Sequence, residues 1–169
     1  VVVALAGCSS APEDEDVDLV LRSRSAQSLY EDAKEKMRLG NFNAATQTLS
    51  ALDSRYPFGP LSHQIQLDLV YGYYKTGKTD EALATIDRFT RLNPNHSDVD
   101  YVIYMRGLTN MEVDSNLFQE LVGIDRSDRD PSSSRLAFND FRRLIEKYPN
   151  SKYAADAQKR MLHIKSRLA

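Results

Sequence analysis

The histidines and the single cysteine are the side chains best suited to bind a metal or to move a proton. His63, His96 and His163 are separated from one another by at least 33 residues, and Cys8 lies far from all three. A zinc site needs three or four such ligands brought together. Because no spacing of this kind is present, we expect three ordinary surface or interhelical histidines and no metal.

An acidic loop, "DRSDRDP" at residues 125–131, invites comparison with calcium-binding loops. Counting from Asp125, the sixth residue is Asp130 and the twelfth is Leu136, where an EF-hand needs Gly and Glu. Arg126 and Arg129 alternate with the acids in the same loop. This arrangement favours a loop held by internal salt bridges over a calcium site.

The chain also lacks the sequence patterns of common catalytic sites. It has no nucleophile-elbow serine motif, no Gly-rich phosphate loop and no recognisable pair of catalytic carboxylates. Its net charge of −2 provides no basic field for nucleic acid. With 169 residues, of which 41% are hydrophobic, it is long enough for one packed domain or a repeat array. We expect a binding protein without a cofactor rather than an enzyme.

Cys8 ends an apolar run, "VVVALAGCSS", that is too short to span a bilayer. The run lacks an initiator methionine and is typical of the end of a secretory signal. Its "LAGC" at residues 5–8 resembles the lipobox of bacterial lipoproteins, in which the thiol is acylated and the chain is cut just before it. A lone cysteine in a leftover leader is the alternative. We expect residues 1–7 to be a residual signal peptide and Cys8 to carry lipid, and by the same resemblance Ser9 indicates the outer membrane.

The segment 8–24 is predicted to be a flexible acidic tether. Five acids lie between residues 13 and 18, and such a run repels itself and buries little surface. Four apolar residues within it do not fit a solvated tether. We expect this short apolar segment to dock either on the folded domain or on a partner; its members are Val17, Leu19, Val20 and Leu21.

From residue 25 the sequence repeats with a fixed period. In the first unit, Ser28 and Glu31 form a predicted capping box, Gly40 ends the first helix and Pro57 ends the second. In the second unit, Gly77 follows Gly40 by 37 residues and Pro94 follows Pro57 by 37 residues. Each second helix carries apolar residues on one face, namely Phe42, Ala45, Leu49 and Leu52, then Ala82, Ile86 and Phe89.

These units resemble the tetratricopeptide repeat, in which a small residue lets paired helices approach closely and a proline closes the unit. The spacing exceeds the usual 34 residues, and Thr79 replaces the aromatic residue found at Phe42. A third unit has Gly107 in its first helix, and its second helix carries Ala137, Phe141 and Leu144. The prediction is an all-α tetratricopeptide-repeat solenoid over residues 25–169, with about three repeats, the start of a fourth, and an insertion at 114–133 in the third.

The first helices of such units line the concave face of a solenoid, which suits an extended peptide or a partner helix. Tyrosine offers a large contact area and a hydroxyl group to such a ligand. The alternative is that the tyrosines pack between neighbouring units. The predicted peptide-binding groove comprises Tyr30, Lys34, Gln64, Asp68, Tyr71, Tyr74, Lys75, Tyr101, Tyr104 and Met105.

Two further surfaces are candidate contact sites. The turn "YPFGP" places Tyr56 and Phe58 between stiffening prolines, which predicts a preset contact edge. The insertion combines apolar residues with its charged loop and is predicted to bind a partner protein, with a self-packed loop as the alternative. Its candidate residues are Phe118, Leu121, Val122, Arg126, Asp128, Arg129 and Asp130.

Four segments behind the lipobox, "SRYPFGPLSHQIQLDLVYGYYK", "RLNPNH", "DYVIYMRGLTNM" and "GIDRSDRDP", carry a more specific resemblance. They are similar to the tetratricopeptide-repeat lipoproteins of the outer-membrane β-barrel assembly complex, from about Leu29 to Ala169. The resemblance implies a non-catalytic subunit, lipid-anchored at the periplasmic face of the outer membrane. Its implied partners are the periplasmic domains of BamA, the lipoprotein BamC and the C-terminal targeting segment of unfolded β-barrel proteins.

Members of that family have five repeats, so the resemblance also implies the N-terminal part of a longer array. The last helix is then expected to expose an apolar face formed by Leu162, Ile164 and Leu168. A scaffold lipoprotein of another envelope system, for cell division or peptidoglycan association, is the alternative function. The "DRSDRDP" insertion favours the assembly complex, because a generic scaffold does not need it.

Overall fold

The structure, a computed structural model, describes residues 24–120 and 132–168, except for the side chains of 114–120 and 168. Several predicted sites lie outside this range. They are the residual signal peptide, the lipidation site Cys8, nearly all of the tether, and the insertion side chains of Phe118, Leu121, Val122, Arg126, Asp128, Arg129 and Asp130.

The described residues form seven helices and no strand, which confirms the all-α prediction. Each helix packs on the next along the chain, and α3 also packs on α5, as expected for stacked helical hairpins. The helices are α1 (Ala26–Arg38), α2 (Phe42–Arg55), α3 (Ser62–Lys75), α4 (Thr79–Leu92), α5 (Val99–Glu120), α6 (Ser132–Lys147) and α7 (Ala154–Leu168). Helical backbone therefore takes up both ends of the predicted insertion.

The start of α1 differs from the predicted capping box. Ser25 is the N-cap, with an extended backbone, and its hydroxyl accepts a hydrogen bond from the Ser28 amide. Ser28 lies in the first turn, where its Oγ binds the Arg24 guanidinium at 2.9 Å. Glu31 instead accepts a hydrogen bond from the Gln27 side chain. The capping prediction was wrong because the helix begins one turn earlier.

Glycines define two helix ends and a close approach of two helices, as predicted. Gly40 and Gly77 follow α1 and α3 with φ angles of 79° and 70°, a conformation that side-chain-bearing residues seldom adopt. At Gly107 a Cβ atom would lie 2.5 Å from the Phe141 ring. The absence of a side chain at Gly107 is what lets α5 and α6 pack together.

Two hydrophobic clusters form the interior. The first cluster lies between α1, α2 and α3, and consists of Leu29, Ala33, Leu49, Leu52, Ile65 and Leu69. The second cluster extends from α3 to α7 and includes Val70, Phe89, Ile103, Phe141 and Ile164. The helix α3 contributes to both, because Leu69 belongs to the first cluster and Val70 to the second. The predicted apolar faces of α2, α4 and α6 are buried, with Phe42 only half-buried.

The apolar face predicted on α7 is only partly exposed. Leu162 is exposed, whereas Ile164 is buried in the second cluster. The prediction for Ile164 was wrong because α7 already has a partner helix, α6, against which that face packs. Leu168 lies outside the described side chains. Across 24–120 and 132–168, no helix combines the length and the apolar character needed to cross a membrane.

Candidate functional site

Three of the predicted groove residues meet at the joint between α1 and α3. Asp68 is buried, and its carboxylate accepts hydrogen bonds from the Tyr30 hydroxyl at 2.7 Å and the Lys34 ammonium at 2.9 Å. Gln64 adds a longer contact of 3.4 Å. Burial, followed by the hydrogen bond to Asp68, raises the pKa of Tyr30 above its ordinary value. Because Lys34 is already paired, its charge is largely neutralised for any ligand.

A more accessible cluster lies beside this joint. The rings of Tyr71 and Phe42 meet edge to face with centroids 5.7 Å apart, and the Lys75 ammonium lies 5.6 Å from the Phe42 centroid. Tyr71 is 38% exposed. Among the described residues, Lys75 has no carboxylate partner. We call Phe42, Tyr71 and Lys75 the α3 edge; it offers two aromatic surfaces and an unneutralised cation.

Phe42 was missing from the predicted groove. The sequence reasoning assigned it to the apolar face of a second helix, but it is the first residue of α2 and lies half-buried. The available signal was that the second unit has Thr79 at the corresponding position. An aromatic residue needed only for packing would have been expected in both units.

A tyrosine stack joins α5 to the start of α7. Tyr104 and Tyr153 are stacked with centroids 4.7 Å apart, and Tyr101 contacts Tyr153 at 5.7 Å. The Tyr104 hydroxyl donates to Asp156 at 2.6 Å, and this bond is the main cause of the lowered pKa of Asp156. Burial raises the pKa of Tyr101 and of Tyr104. Both hydroxyls thus remain neutral donors or acceptors at ordinary pH.

Tyr153 was also absent from the prediction, although a signal for it existed. The segment "SKYAADAQ" begins a further first helix, and treating it as groove-lining would have added its leading tyrosine. One predicted groove residue instead faces inward. Met105 is buried in the second cluster, so it does not line an open surface, whereas Tyr74, like Tyr101 and Tyr104, is half-buried against the same cluster. The pKa of Tyr74 is raised, mainly by this burial.

The predicted turn edge splits into two environments. Tyr56 is half-buried against the first cluster, whereas Phe58 is 92% exposed. Beside Tyr56 opens a cavity of about 260 Å³ that we call the turn pocket. Its wall is mostly apolar and includes the first two residues of α1. The lining residues are Ala26, Gln27, Tyr56, Gly59, Pro60, Leu61, Ser62 and Ile65.

The histidines are closer together than their spacing predicted. The rings of His63 and His96 lie 5.0 Å apart, and Phe89 contacts both. His96 Nδ1 accepts a hydrogen bond from the Asp98 amide. The two histidines meet because the turn before α5 lies beside the start of α3. Within the part of the chain that the structure describes, no three His, Cys, Asp or Glu residues form a group able to hold a metal.

Comparisons with known proteins agree with this architecture. The sequence profile described as tetratricopeptide repeat matches residues 17–161. A protein named outer membrane protein assembly factor BamD, from Vibrio cholerae serotype O1, is 50% identical over 165 residues, which covers 98% of this chain and 66% of the relative. Proteins of the same name are 38% identical in Neisseria meningitidis serogroup B and 34% identical in Haemophilus influenzae.

Those two alignments cover 96% and 100% of this chain, and 61% and 62% of the relatives. The chain therefore spans slightly less than two thirds of the length of the relatives it matches.

Proposed function

Because the chain belongs to the tetratricopeptide-repeat family and its relatives are named outer membrane protein assembly factor BamD, we propose that it serves in outer-membrane protein assembly as a non-catalytic binding subunit. The observation that carries this proposal is the similarity over nearly the whole chain. A tyrosine-lined face built from stacked helical hairpins supports a binding role.

The proposed ligand is the C-terminal segment of an unfolded β-barrel protein. An extended peptide places alternate side chains on one side, about 6.5–7 Å apart. Aromatic side chains at such positions could contact Tyr71 and Phe42 at the α3 edge and, further along, the stack of Tyr104 and Tyr153. These contacts combine a large area with few rotatable bonds, which favours affinity.

Lys75 is the proposed contact for the terminal carboxylate of that peptide. Lys34 is the other lysine of the predicted groove, but it already pairs with Asp68 at 2.9 Å. Recruiting Lys34 would break that pair and leave the buried Asp68 carboxylate without its cation. Lys75 is exposed, lies over the Phe42 ring and has no carboxylate partner among the described residues, so it can engage a carboxylate without such a cost.

The remaining parts of the proposal concern anchoring and partners. Lipid on Cys8 would hold the protein at the periplasmic face of the outer membrane, since several acyl chains together anchor stably. The periplasmic domains of BamA and the lipoprotein BamC are the proposed protein partners, with the insertion around 114–133 as the contact for the lipoprotein.

The proposal is tested by titrating the chain, with Cys8→Ser, with a peptide that copies the C-terminal strand of an outer-membrane barrel protein. A scrambled peptide and a C-terminally amidated peptide are the controls. Tyr71→Ala should weaken binding about fivefold or more, as expected for an interface aromatic. Lys75→Met should weaken binding about two- to fivefold, as expected for an exposed ion pair, and only for the peptide with a free carboxylate.

Lys78→Met is the matched control for Lys75→Met, because Lys78 is also an exposed lysine and lies three residues away, at the start of α4. The affinity of the Lys78→Met variant for the peptide should equal that of the parent chain. Equal binding of native and scrambled peptides, or full affinity in Tyr71→Ala with its helices intact, would refute substrate reception at this face.

A further inference from the structure

The turn pocket is an apolar opening into the first cluster at the place where the chain enters α1. Ile65, which belongs to that cluster and is only 1% exposed, lines the pocket together with Ala26 and Tyr56. The predicted groove does not include it. An apolar cavity of about 260 Å³ is large enough to take aliphatic side chains, and covering it would remove apolar surface from water.

The short apolar segment at residues 17–21, "VDLVL", lies within reach of this opening. Leu21 precedes Ala26 by five residues, so their Cα atoms are at most about 18 Å apart. Arg24 is held beside the first turn of α1 by hydrogen bonds to Ser28 of 2.9 and 3.2 Å. Residues 17–21 are therefore connected to the pocket residue Ala26 by a short stretch of chain, which gives them a high local concentration there.

The tetratricopeptide-repeat profile includes this apolar segment. It begins to match at residue 17, nine residues before α1. Residues 13–16 are all acidic and lie outside the profile match, although the alignment with the relative from Haemophilus influenzae covers them. A shared pattern that starts with apolar residues, ahead of the first helix, is what a segment packed on the domain would produce.

We propose that residues 17–21 dock in the turn pocket, with Leu19 or Leu21 inserted against Ile65. The docked segment covers the open end of the first cluster and fixes where the tether leaves the domain. Only residues 9–16 then separate the domain from the proposed lipid on Cys8, a typical distance of roughly 16 Å. That last consequence rests on the proposed lipidation, whereas the docking itself does not.

The chain contains no tryptophan, so a single introduced tryptophan reports on one position. We would compare Leu21→Trp with Ala11→Trp, a matched reporter that lies in the same terminal segment but outside residues 17–21. Docking predicts a blue-shifted emission for Leu21→Trp and an acrylamide quenching constant about threefold lower than for Ala11→Trp, because a buried indole is shielded from solvent. Leu19→Trp provides a second reporter if the first does not fit.

Filling the pocket from its wall tests the location. Adding Ala26→Phe to Leu21→Trp should raise the quenching constant to that of Ala11→Trp while the helix content stays unchanged. Ala26→Leu is the smaller alternative if the Phe variant does not fold. Equal quenching of Leu21→Trp, Leu19→Trp and Ala11→Trp would overturn the proposal. So would shielding that survives both Ala26 variants, or shielding that rises with protein concentration, which would assign the contact to a second copy.

Discussion

Replacement of Gly107 by alanine tests how tightly the third unit is packed. A Cβ atom at this position would lie 2.5, 2.7 and 2.8 Å from three carbon atoms of the Phe141 ring. These distances are about 1 Å shorter than the optimum for carbon atoms. Phe141 is fully buried, so its ring has no open space into which it can retreat.

Two opposing terms determine the expected size of the effect. Alanine is favoured over glycine inside a helix by about 1 kcal/mol, whereas overpacking a well-packed core typically costs about 1–3 kcal/mol. With contacts this short we expect the upper part of that range, and hence a net loss of about 1–2 kcal/mol. For a chain of this size, that loss lowers Tm by about 2–8 °C, measurable by thermal denaturation followed by circular dichroism.

Two further variants make this prediction specific. Gly59→Ala is the control, because a Cβ atom there would meet only Tyr56 atoms at 3.5 Å, an ordinary contact distance; its Tm should stay near that of the parent. Adding Phe141→Leu to Gly107→Ala should make the pair at least about 0.5 kcal/mol more stable than the sum of the single effects. A Gly107→Ala variant as stable as the parent, with additive effects in the double variant, would refute the packing argument.

The polar contacts and turns give three further predictions. Burial raises the pKa of Tyr30 and Tyr101 in the folded state, so the folded chain keeps protons that the unfolded chain loses near pH ~10. The free energy of unfolding should therefore keep this contribution below that pH and lose it above. In urea denaturation, Tyr30→Phe should show a smaller loss of stability above pH ~10 than the parent chain. Asp68→Asn should cost about 1–3 kcal/mol, because it weakens the hydrogen bonds from Tyr30 and Lys34, and an unchanged urea midpoint would contradict the joint described at α1 and α3. Gly77→Ala places a side chain at a φ of 70° and should cost about 1 kcal/mol, whereas an Ala variant with the parent's Tm would show that the turn can relax.

The sequence was sufficient to predict the repeat and its helix ends, because these depend on local chemistry. Gly40 and Gly77 are needed wherever the backbone turns left-handed, and their offset predicted the second unit from the first. The start of α1 was misplaced because Ser25 and Ser28 are both suitable caps. The structure has Ser25 before the helix and Ser28 in its first turn.

Contacts between helices could not be predicted in the same way. Lys34 pairs with Asp68, Arg88 with Asp53 and Arg106 with Asp140, at separations of 34 or 35 residues. Whether such a pair forms depends on the rotation of each helix about its own axis. A rotation of a few tens of degrees separates a buried Met105 from an exposed one.

The position of α3 between the two clusters has a mechanical consequence. Leu69 and Val70 are consecutive residues that project about 100° apart around this helix, and each packs into a different cluster, so a displacement of α3 disturbs both. Since packed protein interiors resist compression, α3 couples the packing of the first cluster to that of the second. Tyr71 lies on the same helix, so a contact at Tyr71 that displaced α3 would alter the packing of both clusters.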